Sequence, residues 1–319
     1  MNDELSRKPA KDYQTVTADS LLEADLRSLV RLSIAEDLRD SLDWTTVCLI
    51  EPESRGGCQI VPREGGVCAG LATVLWIVDE FDADLEVELS LEDGQHLTPG
   101  KPIATLRGSV RDLLTSERTI LNIVGRLCGI ASLTANYVAA IRQSNARLYD
   151  TRKTTPGWRL LEKYAVHCGG AHNHRSGLHD GFLIKDNHLA LAGDTKGGPI
   201  SASTAAEKAI RWRGSQIERL TAPDIVEIEV DSLEQFREVL PLNPDIILLD
   251  NFPIDQLREA VTIRNDSKSP VELEASGNVR IETLPAIAAT GVDRISSGAL
   301  THQATSLDLG LDWFDSHES

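Results

Sequence analysis

Cationic side chains are concentrated in one stretch of an otherwise acidic chain. Residues 147–188 contain seven Lys or Arg against four Asp or Glu, although the whole protein of 319 residues has a formal net charge of −17. Arginine can grip a carboxylate or phosphate through two parallel hydrogen bonds, and lysine adds a point charge. The stretch therefore predicts a site for a ligand with several negative charges. A solvated helix face is the alternative, and it suits only Arg159 and Lys163, which lie in a helical pattern.

A pair of glutamates, Glu227 and Glu229, lies in an otherwise apolar strand pattern. Residues two apart in a strand point to the same face, and two buried like charges are costly without a cation. Mg²⁺, a lysine of a neighbouring strand or a sugar hydroxyl would each supply a partner, and Asp250 at the next strand end could share it. Exposure at a sheet edge is the alternative that the sequence leaves open.

Two turns late in the chain, at 276–278 and 296–298, contain glycine and serine. Such turns resemble phosphate-binding loops, because glycine lets backbone amides approach the oxygens. His172 and His174 lie two apart, which is not the helical spacing of an HExxH zinc site, and no P-loop or GxGxxG motif is present. The five cysteines form no CxxC pair, so we expect reduced thiols rather than a structural metal site.

These residues must be positioned by a repeating pattern of strands and helices. Apolar runs predict six strands, which begin at residues 146, 182, 224, 245, 271 and 293. The last four begin 21, 26 and 22 residues apart, the length of one strand, one helix and two short loops. The pattern predicts a parallel α/β sheet or barrel. Its active site would lie at the carboxyl ends of the strands, where polar residues follow nearly every run.

The chain before this repeat predicts a separate, smaller unit. We expect a flexible tail over 1–18, a helix over 18–38, a small sheet over 58–106 and a long helix over 112–142. We expect the long helix to break near Gly125 or Gly129, and we place the domain boundary near residue 128.

The composition excludes several classes of partner. A strongly acidic chain is a poor match for nucleic acid or for an anionic membrane surface, because both require a basic field. The first residues contain no apolar run of signal-peptide length, and no stretch approaches about 18 uninterrupted apolar residues. We therefore expect a cytoplasmic protein.

Seven motifs together resemble those of the quinolinate phosphoribosyltransferase family, and the resemblance extends over residues 18–313. They are SERTILN (116–122), DTRKTTPG (150–157), EKYAVHCGGAHNHRSGLHDGFLIKDNH (162–188), VEIEVDSLEQ (226–235), ILLDNF (247–252), ELEASGN (272–278) and ISSGALTH (295–302).

The resemblance implies a fold and a reaction. The fold would be a six-stranded open α/β barrel over 129–302, with an N-terminal α+β sandwich domain over 19–128 that segment 303–319 joins. The reaction would convert quinolinate and phosphoribosyl pyrophosphate to nicotinate mononucleotide, pyrophosphate and CO₂, with Mg²⁺ required. The protein would be a homodimer with a shared active site, or a hexamer.

The resemblance also assigns residues. Glu229 and Asp250 would hold Mg²⁺, partly through the substrate, and would act with Lys153 as catalytic residues. Arg118 would reach the site from the partner subunit. Substrate would be bound by Arg118, Thr151, Arg152, Lys153, His174, Arg175, Lys185, Glu229, Asp250, Ser276, Gly277, Asn278, Ser297, Gly298 and Ala299.

The sequence departs from the family pattern in a few places. EDLRDSLDWTT (36–46) replaces a more glycine-rich motif, Trp158 and Gln303 replace smaller residues, and GGAHNHR lacks a third glycine. Three other functions stay open: a phosphoribosyltransferase for another acid or a barrel linked to molybdate transport, a Schiff-base lyase using Lys153 or Lys185, and a phosphosugar-binding barrel without turnover.

Overall fold

The computed structural model describes residues 11–193, 198–216 and 225–314. The helices of the described chain are α1 Ser20–Asp37, α2 Trp44–Leu49, α3 Leu71–Glu80, α4 Val110–Ala140, α5 Arg159–Cys168, α6 Asp186–Leu191, α7 Ala202–Gln216, α8 Leu233–Val239, α9 Ile254–Asp266, α10 Leu284–Ala288 and α11 Ala299–His302. Its strands are β1 Arg55–Pro62, β2 Gly66–Val67, β3 Leu85–Leu89, β4 His96–Leu97, β5 Ala104–Ser109, β6 Arg147–Tyr149, β7 Phe182–Ile184, β8 Val226–Val230, β9 Ile246–Asp250, β10 Glu272–Ser276, β11 Arg294–Ser296 and β12 Leu309–Phe314.

The chain forms two compact units, and each is built from separate stretches of sequence. Of the described residues, the parallel unit contains 11–14, 137–152, 172–193, 198–216 and 225–299, and the antiparallel unit contains 15–136, 153–171 and 300–314. Residues 153–171 and 300–314 thus belong to the antiparallel unit although they follow the first strand of the parallel unit in sequence. The reason is local packing, since α5 contacts α1 within the antiparallel unit.

The parallel unit contains a six-stranded sheet in the order β6-β11-β10-β9-β8-β7, and every neighbouring pair is parallel. All six strands expected from the apolar runs are confirmed. Strands β7 to β11 are neighbours in chain order, because helices between them return the chain to the same edge of the sheet.

The two faces of this sheet differ in chemistry. Register places Glu229, Leu248, Glu274 and Arg294 side by side on one face, which we call the polar face. The opposite face is apolar, and α7 and α8 contact β8. Its buried side chains include Ile228, Ile247, Leu249, Leu273 and Ile295. Alternation of the two residue types along β8 and β10 thus separates a charged surface from the hydrophobic core.

The antiparallel unit contains a four-stranded sheet in the order β12-β1-β5-β3, with β2 and β4 paired separately. Helix α1 contacts α3. Leu22, Leu26 and Val30 recur every four residues along α1 and are buried, so they form one apolar stripe. The five cysteines are free thiols, and burial raises the pKa of Cys58 to about 12.

Helix α4 runs unbroken through Gly125 and Gly129, so the expected break is wrong. The two glycines instead allow another segment of the chain to approach α4 closely. A Cβ at Gly129 would lie 1.9 Å from the carbonyl oxygen of Thr305, and one at Gly125 would lie 2.9 Å from that of Leu307. By length and composition α4 could cross a membrane, but 56% of its most apolar window is buried, as in the core helix of a soluble protein.

Residues 11–13 also differ from expectation, because they pack against the parallel unit instead of forming a flexible tail. Lys11 Nζ donates to the carbonyl of Asp245 at 2.9 Å. Asp12 pairs with Arg147 at 2.8 Å, and Tyr13 is only 6% exposed. The first ten residues lie outside the described part of the chain.

Candidate active site

Oppositely charged side chains meet where β7 and β8 end on the polar face. Lys185 directly follows β7, and its Nζ forms an ion pair with Glu229 near the end of β8. The Glu229 side chain is 13% exposed and that of Lys185 is 42% exposed, so the pair lies at the boundary with solvent. A lysine of the neighbouring strand, one of the three kinds of partner that the sequence left open, thus pairs with Glu229.

A connected turn follows at the ends of β9 and β10. Asp250 lies opposite Ser276 in the register. Asn251 Nδ2 donates to the Asp250 carboxylate at 2.8 Å, the Asn251 amide donates to the Ser276 carbonyl at 2.9 Å, and Asn278 Nδ2 donates to Asn251 Oδ1 at 3.1 Å. Asn251, which the sequence analysis assigned to no ligand, lies directly after a strand and within the motif ILLDNF.

Gly277 allows this turn to close. Its φ is +92°, in the left-handed region that favours glycine, and an added Cβ would lie 2.2 Å from Asn251 Oδ1. The turn after β11 is also ordered by hydrogen bonds. The Ser297 amide donates to the Tyr149 carbonyl at 3.0 Å, and the Ala299 amide donates to Ser297 Oγ at 3.3 Å. Gly298 lies between these two residues, so both late turns hold their backbones in defined conformations.

Asp150, at the end of β6, organises the segment that carries the histidine and arginine. Its buried carboxylate accepts a hydrogen bond from Asn173 Nδ2 at 2.8 Å and one from the His174 amide at 2.8 Å. Thr151 and half-buried Arg152 follow directly. Asp150 therefore ties two stretches of predicted site residues together.

His174 points into the protein rather than towards the strand ends. The residue is 5% exposed, and its Nε2 lies 3.1 Å from a carboxylate oxygen of Glu227 and 3.5 Å from one of Glu274. Nδ1 accepts the Arg175 amide hydrogen at 2.8 Å. Both ring nitrogens are engaged within the protein, which differs from a histidine that presents a nitrogen to substrate.

Glu227 belongs to the same buried network and is not at an exposed edge. Its carboxylate accepts a hydrogen bond from Tyr13 at 2.9 Å. Glu274 accepts one from Arg294 Nε at 2.8 Å. The ligand atoms of His174, Glu227 and Glu274 lie within 4.8 Å of one another. Tyr13 and Arg294 thus engage one oxygen of each carboxylate, whereas Glu274 Oε1 has no hydrogen-bond partner among the described residues.

Charges in this network shift the protonation equilibria. Burial lowers the pKa of His174, but Glu227 and Glu274 outweigh it and the net shift is upward. The Arg175 amide opposes protonation at Nδ1, because Nδ1 accepts its hydrogen only while it is unprotonated. Burial raises the pKa of Glu227, whereas His174, Arg294 and Tyr13 together bring it below its usual value.

Two expected site residues, Arg118 and Lys153, belong to the antiparallel unit. The Arg118 side chain is 68% exposed on α4, with Nη2 3.7 Å from Glu117. Lys153 is exposed, and its carbonyl accepts a hydrogen bond from the Thr301 hydroxyl at 2.7 Å. Lys163 of α5 is fully buried, so its assignment to a solvated helix face is wrong.

The parallel unit thus carries cations, carboxylates and glycine turns at the carboxyl ends of its parallel strands. This arrangement defines a class, an α/β enzyme domain that binds a small polyanion. Comparison with known proteins defines the family. The quinolinate phosphoribosyl transferase N-terminal domain matches residues 43–128, and the C-terminal domain matches 130–312. The chain belongs to the quinolinate phosphoribosyltransferase family.

Individual relatives resemble the chain over most of its length. A nicotinate-nucleotide pyrophosphorylase [carboxylating] of Mycobacterium leprae is 43% identical over 289 residues, which cover 90% of this chain and 96% of that protein. A quinolinate phosphoribosyltransferase [decarboxylating] of Nicotiana tabacum is 35% identical over 292 residues, covering 90% and 82%. The solved nicotinate-nucleotide pyrophosphorylase of Francisella tularensis superimposes with a TM-score of 0.82 at 33% identity, covering 95% of this chain and all of that one.

Proposed function

We propose that the chain is a nicotinate-nucleotide pyrophosphorylase (carboxylating), a pentosyltransferase of NAD biosynthesis. It converts quinolinate and phosphoribosyl pyrophosphate to nicotinate mononucleotide, pyrophosphate and CO₂. The names of relatives that match over most of the chain carry this proposal. The chemistry of the strand ends supports it, because two carboxylates, a 5-phosphate and a pyrophosphate need the cations of segment 147–188.

The proposal includes a finer architecture for both units. The six-stranded sheet curls into an open α/β barrel in which the polar face is the interior. The strand order supports this proposal. Strands β7 to β11 are neighbours in sequence order, and β6 lies beside β11. The two edge strands are therefore β6 and β7, which would face each other across the opening of such a barrel. The four-stranded antiparallel sheet and its helices form an α+β sandwich.

The site residues divide by the group that they bind. Arg175 binds a quinolinate carboxylate, whereas Arg152, Lys153 and Lys185 bind the other carboxylate and the pyrophosphate, with Thr151 beside them. His174 orients Arg175 through its ring nitrogen. The 5-phosphate is bound by the two late turns, Ser276, Gly277, Asn278, Ser297, Gly298 and Ala299.

Glu229 and Asp250 bind the ribose hydroxyls and Mg²⁺. Carboxylate oxygens are the donors that Mg²⁺ prefers, and both residues lie on the polar face at adjacent strand ends. When bound, Mg²⁺ neutralises negative charge on pyrophosphate. Lys185 limits the repulsion between these carboxylates by its ion pair with Glu229.

Catalysis is electrostatic in this proposal. Arg152, Lys153 and Lys185 stabilise the departing pyrophosphate as positive charge develops on the ribose, and the pyridine nitrogen bonds to the anomeric carbon. The pyridinium ring then accepts the electron pair left when the adjacent carboxylate departs as CO₂, and a proton replaces the carboxylate. No lysine forms a covalent bond with substrate.

Product analysis tests the proposal directly. The protein is incubated with Mg²⁺, phosphoribosyl pyrophosphate and either quinolinate or nicotinate, and we expect CO₂ and nicotinate mononucleotide from quinolinate. Nicotinate turnover without CO₂ release from quinolinate would instead assign a related transferase. A lysine adduct trapped by borohydride would assign a lyase, and substrate binding without turnover would assign a binding protein.

We also propose a cytoplasmic homodimer, alone or within a hexamer, whose active site takes Arg118 from the partner subunit. Exposure of Arg118 on α4 supports this, because the side chain is accessible to a second copy. Arg118→Ala and Arg152→Ala should each lose activity, and mixing them should restore part of it in heterodimers that contain one intact site. Absence of complementation in verified heterodimers would reject the shared site.

A further inference from the structure

The segment Lys11–Tyr13, which we call the N-terminal strap, is anchored at three successive residues. Lys11 Nζ donates to the carbonyls of Asp245 and Pro270 at 2.9 and 2.5 Å. Asp12 pairs with Arg147 at 2.8 Å, and its carboxylate also accepts the Tyr149 hydroxyl hydrogen. The strap is therefore a built part of the parallel unit, and its third residue reaches the buried network.

Tyr13 also contacts His174 and Gly181. Its ring stacks on that of His174, with centroids 4.7 Å apart and planes at 29°. Its edge also covers Gly181, where an added Cβ would lie 2.7 Å from the ring atom Cε1. Gly181 must therefore lack a side chain for the ring to occupy this position.

These two neighbours hold the same residue, Arg175. The His174 ring accepts its amide hydrogen at 2.8 Å. The Gly181 carbonyl accepts a hydrogen from its guanidinium Nη1 at 3.2 Å. Tyr13 thus supports both the backbone anchor and the side-chain anchor of one cation.

We propose that Tyr13 is a positioning residue that fixes Arg175 for binding of the pyridine dicarboxylate. The inference rests on the proposed function, in which Arg175 binds a quinolinate carboxylate. A guanidinium held in place loses little conformational freedom when it binds a carboxylate, so removal of its support weakens binding without removing the charge. The effect falls on the ligand that Arg175 binds and not on phosphoribosyl pyrophosphate as a whole.

Steady-state kinetics of full-length variants test this role. We expect Tyr13→Ala to raise the KM for quinolinate by about tenfold, the loss typical of a missing supporting residue, while the KM for phosphoribosyl pyrophosphate changes by less than about twofold. Tyr13→Phe keeps the stacked ring and should restore the KM for quinolinate. Tyr13→Leu fills most of the same volume without stacking, and it gives the same test if the alanine variant does not fold.

A matched control is available in Tyr137, a buried tyrosine of the same unit. Tyr137→Ala should reduce the melting temperature without changing either KM. An equal rise in the KM for quinolinate in this control would show that Tyr13→Ala acts through general destabilisation, and would overturn the proposal.

A double-mutant cycle with Arg175→Ala tests the positioning role of Tyr13 separately from the substrate contact of Arg175. If Tyr13 acts through Arg175, Tyr13→Ala has no further effect on kcat/KM once Arg175 is alanine. Equal losses from Tyr13→Ala in both backgrounds would reject the positioning role. If Arg175→Ala keeps wild-type kcat/KM, the assigned substrate contact fails instead. If the wild-type protein releases no CO₂ from quinolinate, the proposed function itself fails.

Discussion

The polar face of the parallel sheet carries two charged regions that differ in depth. The interior region contains Arg294, Glu274, Glu227 and His174, all buried, and each carboxylate there has a partner within the protein. The strand-end region contains the Lys185–Glu229 pair and the Asp250 turn, which lie at the solvent boundary. Both regions pair carboxylates with cationic side chains, and β8 contributes one glutamate to each.

The difference in depth determines what each region can do. Interior charges are desolvated, so they are stable only as a matched set, and breaking one pair leaves a buried charge alone. Strand-end charges keep access to water and can exchange a protein partner for a ligand. Parallel α/β enzymes show this division, with function at the carboxyl ends of the strands and stability elsewhere.

Removal of Arg294 should have the largest effect on stability. Arg294→Ala leaves Glu274 without its 2.8 Å partner in a fully buried position, and we expect about 3–5 kcal/mol lower free energy of unfolding. Chemical denaturation measures the loss. Arg258→Ala is the matched control, because its ion pair with Asp255 is exposed and should contribute less than about 1 kcal/mol. Similar losses in both variants would contradict the distinction by depth.

Removal of the Lys185 charge should reduce activity strongly and stability only slightly. Lys185→Met keeps the length of the side chain but removes the charge, and we expect kcat/KM to fall by about 10²–10³-fold, which is about 2.7–4 kcal/mol. The unfolding free energy should change by less than about 1 kcal/mol, since the pair is partly exposed. Lys208→Met, at an exposed lysine of α7, should leave activity unchanged. Loss of stability without loss of activity in Lys185→Met would reverse the assignment.

Sequence patterns predicted the strands more accurately than they predicted the contacts between side chains. All six apolar runs became parallel strands because burial of one face imposes the alternation that the runs display. Glu227 and Glu229 share this pattern, yet one is buried against His174 and the other pairs with Lys185. Spacing gives the face of a residue but not its depth along the strand.

Contacts between distant residues escaped prediction for a related reason. Lys11 and Tyr13 lie in a polar stretch whose sequence shows neither helix nor strand periodicity. Their hydrogen-bond partners are 234 and 214 positions away in the chain. A glycine in a helical pattern, such as Gly129 in α4, can mark either a helix break or the close approach of another chain segment. The carbonyl of Thr305, which approaches Gly129, shows that the second reason applies. The site residues could be assigned from the sequence only because a resemblance to a family supplied this long-range information.

Gly277 tests whether the late turn depends on its backbone. Gly277→Ala combines strain at φ +92° with a Cβ 2.2 Å from Asn251 Oδ1, and we expect an increase of about tenfold or more in the KM for phosphoribosyl pyrophosphate, equivalent to about 1.4 kcal/mol. Gly291→Ala has nearly the same φ, +91°, but its nearest contact is Val261 Cγ1 at 3.2 Å. This control should lose about 1–2 kcal/mol of stability and no activity. Equal KM values in the two variants would argue against a phosphate role for the turn.

The pH dependence of stability gives the smallest and most selective effect. The pKa of Glu227 is lowered, so its contribution is present above about 4.5, the ordinary value, and is lost as pH falls through the lowered one. The pKa of His174 is raised, so its contribution is complete below about 6.5 and is lost as pH rises through the raised value. Glu227→Gln should therefore differ from wild type most between about pH 4.5 and 6.5, by about 1–2 kcal/mol. Glu238→Gln, at an exposed position on α8, should follow the wild-type unfolding profile, and a uniform offset of Glu227→Gln from pH 3 to 9 would show that the buried pair is not charged.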